Sequence, residues 1–200
     1  MTIREWKDRI VGNPWIYDNI RPLVAGWIDL NSLAQFCSIT PEDRVFDLGC
    51  GTGQLVQYFR CEQYVGVDTD QNAIKKASQH STLNMHFVLG DDWDATYREL
   101  HATIVIMIGL LHHLPDSGFA SIISRLRAVS QALPRIVTID ISYFPHMYLN
   151  NLLSRMDRGQ YVRRPEEYER LFKENGLRLL GREFIPTRLR YVRYVGYQLG

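Results

Sequence analysis

The sequence has few cysteines and no hydrophobic segment long enough to cross a bilayer. Its three cysteines, Cys37, Cys50 and Cys61, are too few and too irregularly spaced for a disulfide framework or a zinc site. The longest apolar run, residues 104–111, is too short for a transmembrane helix, and the start, MTIREWKDRIVG, lacks the apolar segment of a signal peptide. We therefore expect a cytoplasmic protein without a metal site.

The chain also lacks linkers, repeats and low-complexity stretches, so its 200 residues most economically form one domain with a full core. A hydrophobic content of 46% with 22% charged residues excludes disorder and collagen-like fibres. Residues 150–200 carry 11 basic and 6 acidic side chains, and nearly all the basic ones are arginine. These arginines either lie on solvated surfaces or present their planar guanidinium groups to an anionic substrate.

Strand and helix patterns alternate along the chain, which indicates an α/β fold with a mainly parallel sheet. Seven strands are predicted, at residues 44–48, 64–67, 85–89, 103–108, 135–141, 177–185 and 190–199. Five helices are predicted, at residues 53–60, 71–79, 118–133, 147–157 and 165–175. The last two strands are most simply an antiparallel pair, and residues 1–40 form a helical preface.

The segment VFDLGCGTG, residues 45–53, is the most informative motif. It places the acid Asp47 near the end of a strand, followed by glycines at every second position, Gly49, Gly51 and Gly53. Glycines allow a loop to turn sharply and bring bare backbone against a ligand. The spacing is G-x-G-x-G, which differs from the G-x-G-x-x-G of dinucleotide sites.

Three further polar clusters follow strands. Asp68 ends the second strand, where an acid can accept both hydroxyls of a ribose. Asp91 and Asp92 end the third, and GLLHHLPD, from Gly109, ends the fourth. Open α/β sheets bind ligands at the carboxyl ends of their strands. The structural alternatives are that Asp68 caps a helix and that Asp92 or Asp94 caps the next segment.

VFDLGCGTG, together with VGVD at residues 65–68, resembles the first motifs of class I S-adenosylmethionine-dependent methyltransferases. The resemblance covers roughly residues 40–142. It implies a Rossmann-like seven-stranded, mostly parallel sheet with helices on both faces and an antiparallel C-terminal strand pair. It also implies S-adenosyl-L-methionine as the cofactor and S-adenosyl-L-homocysteine as its product.

The same resemblance implies where the cofactor binds. The loop at residues 49–53 would pack beneath the methionine part, Asp68 would hold the ribose hydroxyls, and Asp91 or Asp92 would contact the adenine. The expected cofactor-binding residues are Asp47, Gly49, Cys50, Gly51, Gly53, Asp68, Thr69, Asp91, Asp92, Gly109 and Leu110. Many members carry an acid at the start of the fourth strand, where this chain has Ala102-Thr103, and we expect no loss of activity from that departure.

The candidate catalytic residues are His112, His113 and Tyr143, because imidazole titrates near neutral pH and Tyr143 lies just beyond the fifth strand. The alternative is structural: one histidine packs beneath the cofactor loop and the other binds a backbone carbonyl.

The candidate substrate-binding residues are Trp15, Tyr17 and Arg158. Residues 1–40 are predicted as a helical preface or lid. Residues 41–200 are predicted as the methyltransferase domain, with a helical insert at 143–175 that joins the lid over the substrate. A merely packed N-terminal helix is the alternative for the segment around Trp15.

These observations predict an enzyme that methylates oxygen, nitrogen or carbon of a small molecule, acidic or aromatic in character. The alternatives are a methyltransferase acting on RNA or another macromolecule and a non-catalytic S-adenosylmethionine-binding regulatory protein. The sequence lacks an Asn/Asp-Pro-Pro-Tyr/Phe motif and a Pro-Cys pair, and its Arg–Tyr interleaving is confined to residues 188–197. RNA-reading faces normally show a broader basic patch.

Overall fold

The computed structural model describes residues 29–130, 132–157, 159–187 and 191–200. The helices are α1 Leu30–Cys37, α2 Gln71–Ala77, α3 Asp94–Leu100, α4 Asp116–Val129, α5 Tyr148–Met156 and α6 Pro165–Glu174. The strands are β1 Arg44–Leu48, β2 Gln63–Asp68, β3 Met85–Leu89, β4 Ile104–Ile108, β5 Arg135–Ile141, β6 Leu179–Pro186 and β7 Arg193–Leu199. In this part of the chain, no helix is long and apolar enough to cross a membrane.

The strands of the described residues form one seven-stranded sheet in the order β3-β2-β1-β4-β5-β7-β6. Strands β1 to β5 pair in parallel, whereas β7 pairs antiparallel with both β5 and β6. This arrangement confirms the predicted fold class. Because β1 to β5 are parallel, their carboxyl ends meet at one edge of the sheet, which we call the carboxyl edge.

The two faces of the sheet carry separate hydrophobic cores, because successive strand side chains point to opposite faces. Phe46 of β1 belongs to the core that includes residues of α3, α4 and α6. Its neighbour Val45 belongs to the other core, which includes residues of α1 and the partly buried Leu153 of α5. Helices therefore cover both faces of the sheet.

The helix predicted at residues 53–60 is wrong. Gly53 has a φ of +70°, which a right-handed helix does not tolerate, and only a short 3₁₀ turn forms at Val56–Tyr58 before Phe59 becomes extended. The other predicted elements are present in the described residues, with ends that shift by a few positions.

Arg163, two residues before the start of α6, ties this part of the chain to the turn after β4. Its buried guanidinium donates to the carbonyl oxygens of Leu111 (2.9 Å), Leu114 (2.7 Å) and Tyr161 (2.9 Å) and forms an ion pair with Asp116 at 2.6 Å. Arg163 Nε and Nη2 both donate to Asp116 Oδ1, so these hydrogen bonds together use all five N–H groups of the guanidinium. The geometry gives Arg163 a structural role, because its guanidinium holds these carbonyls and Asp116 together.

We predict that Arg163→Gln lowers the free energy of unfolding by about 3 kcal/mol, because buried carbonyl groups lose their donors. The matched control is Arg164→Gln, which changes an exposed neighbour and is expected to cost less than about 0.5 kcal/mol. Urea unfolding followed by circular dichroism measures both. Equal losses in the two variants would contradict the role assigned to Arg163.

Candidate active site

The glycine loop lies at the carboxyl edge and leaves its central residue open. The backbone N–H groups of Gly49 and Cys50 both donate to the Val67 carbonyl of β2, at 2.8 and 3.1 Å. A Cβ built on Gly49 would lie 3.1 Å from Leu110 Cδ1, whereas one on Gly51 would have no heavy atom of the described residues within 4 Å. Gly51, at a φ of +55°, therefore presents bare backbone to open space.

Cys50 and Gly53 face the sheet and not this open space. A Cβ on Gly66 of β2 would lie 2.9 Å from Cys50 Sγ, and a Cβ on Gly53 would lie 2.9 Å from Phe87 Cε1. The Cys50 side chain therefore packs on β2, and Gly53 has no room for a side chain, so each residue can contact a ligand through its backbone.

Asp68 is half-buried at the end of β2 and links this strand to the glycine loop. Its Oδ2 accepts from the Gly51 N–H at 2.8 Å, and its Oδ1 accepts from the Asp70 N–H at 2.9 Å. The helix α2 is capped by Asp70, which accepts from the N–H groups of Asn72 and Ala73, so Asp68 is not its N-cap. Each carboxylate oxygen has a further lone pair for a hydroxyl donor. Thr69 is exposed beside it.

Asp47, at β1, is buried with only one oxygen paired. The Tyr64 hydroxyl donates to its Oδ2 at 2.6 Å, and its Oδ1 has no hydrogen-bond partner among the described residues. Burial raises the pKa of Asp47 to about 7; the Tyr64 hydrogen bond lowers it in part, and nearby Asp68 raises it. A buried carboxylate oxygen without a donor fits a cationic group bound at the glycine loop.

The loop after β3 is joined to Asp68 and stiffened by an arginine. The Gly90 N–H donates to the Asp68 carbonyl at 2.9 Å. Arg125 lies 3.9 Å above the Trp93 ring and donates to the Asp91 carbonyl at 2.8 Å. It also forms an ion pair with Asp94 of α3 at 2.6 Å. The helix makes no side-chain cap bond, so capping by Asp92 or Asp94 is wrong. Asp91 and Asp92 are exposed.

The turn after β4 depends on Asp140 of β5, which the sequence reasoning missed. Asp140 is 1% exposed and accepts from the Leu111 N–H at 2.8 Å, the His112 N–H at 3.3 Å and His112 Nδ1. Gly109 precedes the turn at a φ of +68°, and its N–H donates to the Ile139 carbonyl at 2.8 Å. An acid inside the apolar strand RIVTIDI was the available signal, because a buried carboxylate needs donors.

His112 is buried between two carboxylates. Its Nδ1 contacts Asp140, and its Nε2 lies 3.2 Å from Asp157 Oδ1. Burial lowers the pKa of His112, but the two carboxylates outweigh burial and raise it to about 9. In the structural alternative one histidine packs beneath the cofactor loop and the other binds a backbone carbonyl. His112 is buried as the first of these would be, and its ring partners are carboxylates. His113 is exposed, and its ring centre lies 4.0 Å from that of His112.

Tyr143 lies beyond the end of β5 and is half-buried. Its N–H donates to the Arg163 carbonyl at 3.2 Å, which places it where the insert meets the carboxyl edge. Trp15, Tyr17 and Arg158 lie outside the described residues, as does most of the predicted lid. The structure therefore brings the predicted cofactor-binding residues and the turn after β4 together at the carboxyl edge. The predicted substrate-binding residues stay predictions.

A family model described as a methyltransferase domain matches residues 23–181, more than half of the chain. The chain belongs to this methyltransferase family. The assignment confirms the resemblance drawn from VFDLGCGTG, and S-adenosylmethionine is the cofactor of the class.

Solved methyltransferases share the fold of this methyltransferase. CalO1, a methyltransferase in calicheamicin biosynthesis solved with S-adenosylhomocysteine, aligns with a TM-score of 0.68 and 19% identity, over 98% of this chain and 60% of that one. Magnesium protoporphyrin IX methyltransferase from Synechocystis PCC 6803, also solved with S-adenosylhomocysteine, aligns with a TM-score of 0.60 and 19% identity, over 98% and 93%. At this identity the likeness concerns the fold.

A curated protein from Chlorobaculum tepidum, named an uncharacterized RNA methyltransferase, is 44% identical over 48 residues. This match covers 23% of the present methyltransferase and 10% of the curated protein. The chain therefore spans about a tenth of the length of that relative.

We predict that Asp47 makes stability fall as the pH rises. Its folded pKa of about 7 lies above the unfolded value of about 3.9. Its contribution is therefore complete below pH 4 and is lost as the pH rises through 7. Relative to Asp47→Asn, the wild type should lose a few kcal/mol of unfolding free energy between about pH 4 and pH 7.

Urea titrations of both proteins at a series of pH values measure this difference. Tyr64→Phe is the matched variant, because it removes the hydrogen bond that lowers the pKa of Asp47 and should extend the loss to higher pH. A difference between wild type and Asp47→Asn that stays flat from pH 4 to pH 8 would rule out the assigned pKa.

Proposed function

We propose that this protein transfers a methyl group from S-adenosylmethionine to an oxygen, nitrogen or carbon atom of a small molecule. The observation that carries the proposal is the open glycine loop at Gly51, flanked by the carboxylates of Asp47 and Asp68. The expected location, the cytoplasm, stays a prediction.

These residues fit the three chemical parts of the cofactor. The Oδ1 of Asp47, which no described residue pairs, would accept from the cationic amino group, directly or through water. The backbone of the loop at residues 49–53 would lie beneath the methionine part. Asp68 would accept the ribose hydroxyls, and Asp91 or Asp92 would contact the adenine. The cofactor supplies a methyl group already activated by its positive sulfur, so the chain's task is to align the acceptor and exclude water.

The insert supports a small acceptor because its loop covers the β4 end of the carboxyl edge. The Tyr161 N–H donates to the His112 carbonyl at 2.9 Å, and Gly159 contacts the His112 ring so closely that a side chain there would clash. A cleft covered in this way suits a compact molecule better than a polymer. Trp15, Tyr17 and Arg158 remain the candidates for the rest of the pocket, with Tyr143 beside them.

The charge of the described residues also favours a small acceptor over RNA. Six arginines form intramolecular ion pairs, which leaves less positive charge for a phosphate backbone. They are Arg44, Arg125, Arg135, Arg163, Arg170 and Arg182. RNA methylation is the second candidate, because the short match to the Chlorobaculum tepidum protein favours it.

We predict that Gly51→Ala weakens binding of S-adenosylhomocysteine at least about tenfold, because the added Cβ enters the space where bare backbone would meet the ligand. The matched control is Gly176→Ala. Gly176 has a similar φ of +66°, so both variants carry the same backbone strain, but it lies after α6, away from the carboxyl edge. Isothermal titration calorimetry measures the two affinities. Equal affinities in Gly51→Ala and Gly176→Ala would contradict the cofactor site.

A second prediction concerns the acceptor. Incubation with radiolabelled S-adenosylmethionine should transfer label to a metabolite fraction and leave a ribonuclease-sensitive RNA fraction unlabelled. Gly51→Ala should lose the transfer, and Gly176→Ala should keep it. Label in RNA alone would favour the second candidate function, and binding of S-adenosylhomocysteine without any transfer would favour a non-catalytic regulatory protein.

A further inference from the structure

Two histidines and one carboxylate converge near the end of β4. Ring nitrogens of His112 and His113 and a carboxylate oxygen of Asp157 all lie within 4.8 Å of one another. A Cβ built on Gly109, at the end of β4, would lie 3.8 Å from His112 Cε1. The cluster therefore lies at the carboxyl edge, and its members come from two segments, the turn after β4 and the loop between α5 and α6.

The ring of His112 is oriented as in a metal-binding histidine. The buried Asp140 holds its Nδ1, so its Nε2 is directed to Asp157 Oδ1 at 3.2 Å. In protein metal sites a ligating histidine commonly donates its other ring nitrogen to a carboxylate, which fixes the ring and increases its basicity as a ligand. Asp140 is in the position of that carboxylate.

The two segments that supply the cluster are tied to each other, so the site is formed before any ion binds. The Tyr161 N–H donates to the His112 carbonyl, and Arg163 Nη1 donates to both the Leu111 and Tyr161 carbonyls at 2.9 Å. The Gly159 N–H donates to Asp157 Oδ1 at 2.8 Å. Ligands held by such a support lose little freedom when they bind an ion.

The cluster is also accessible. His112 is buried, the Asp157 side chain is 24% exposed and His113 is exposed. A site with few protein ligands and one side toward solvent leaves coordination positions for water or a substrate oxygen, as in catalytic metal sites.

We propose that His112, His113 and Asp157 bind one divalent transition-metal ion, with Asp140 as the residue that positions His112. Two imidazoles and one carboxylate suit zinc, cobalt or iron(II), whereas magnesium and calcium prefer all-oxygen ligands. The cysteine spacing predicted no metal site, and the cluster proposed here contains no cysteine. The proposal concerns ion binding alone and does not depend on methyl transfer.

The test is a cobalt titration of the untagged full chain after treatment with a chelator. Visible d–d absorption should saturate at one Co²⁺ per chain, and Zn²⁺ should displace it. His113→Ala and Asp157→Asn should each raise the dissociation constant at least about tenfold, as should Asp140→Asn, since loss of such a supporting carboxylate typically costs 10–100-fold. The control His86→Ala removes an exposed histidine of β3 and should leave binding unchanged.

Circular dichroism of each variant separates lost binding from lost folding. If Asp140→Asn fails to fold, the decision rests on His113→Ala and Asp157→Asn, whose changes lie at exposed or half-exposed side chains. Absence of saturable Co²⁺ binding by the wild type would overturn the proposal and leave His112 as a metal-free ion pair between two carboxylates. Undiminished binding by folded His113→Ala and Asp157→Asn would overturn it equally.

Discussion

Two carboxylates are buried where the strands meet the carboxyl edge, and each must find hydrogen-bond donors away from water. Asp140 of β5 receives the Leu111 and His112 N–H groups and the His112 ring. Among the described residues, Asp47 of β1 receives a hydrogen bond from the Tyr64 hydroxyl alone. An unpaired buried carboxylate costs several kcal/mol. The donors that Asp140 requires therefore fix the conformation of the turn after β4, and the missing donor at Asp47 favours a cation bound at the glycine loop.

The paired carboxylate organises a wider region. Asp140 orients His112, His112 contacts Asp157, and Asp157 accepts from Gly159 in the loop between α5 and α6. Arg163 joins the two segments, because it donates to the Leu111 carbonyl in the turn after β4 and to the Tyr161 carbonyl in the loop between α5 and α6. The insert after β5 is thereby joined to the sheet by polar contacts near the carboxyl edge and by the apolar side chains of α6 on the core. A rigid edge of this kind suits a reaction in which alignment is the protein's main contribution.

The unpaired carboxylate is used differently. Asp47 carries a raised pKa and an oxygen that has no partner in the part of the chain the structure describes, which is a cost to the folded protein at neutral pH. Such costs are found at functional sites, where a ligand supplies the missing partner. Gly51 is a similar case, because its positive φ and open surroundings contribute nothing to packing and leave its backbone exposed to a ligand.

The sequence by itself determined the alternation of strands and helices, the glycine loop and the acids at the ends of β1, β2 and β3, because these depend on local periodicity and on spacing within short segments. It could not determine that the predicted helix at 53–60 reduces to one turn, because Gly53 takes a positive φ in a loop that packs against Phe87, a residue of β3 distant in the sequence. Nor could it place Arg163 and Asp157 beside the turn after β4. Arg163 lies 52 positions along the chain from Leu111, and Asp157 lies 45 positions from His112. Only the folding of the insert over the parallel strands, driven by buried groups that need donors, brings them together.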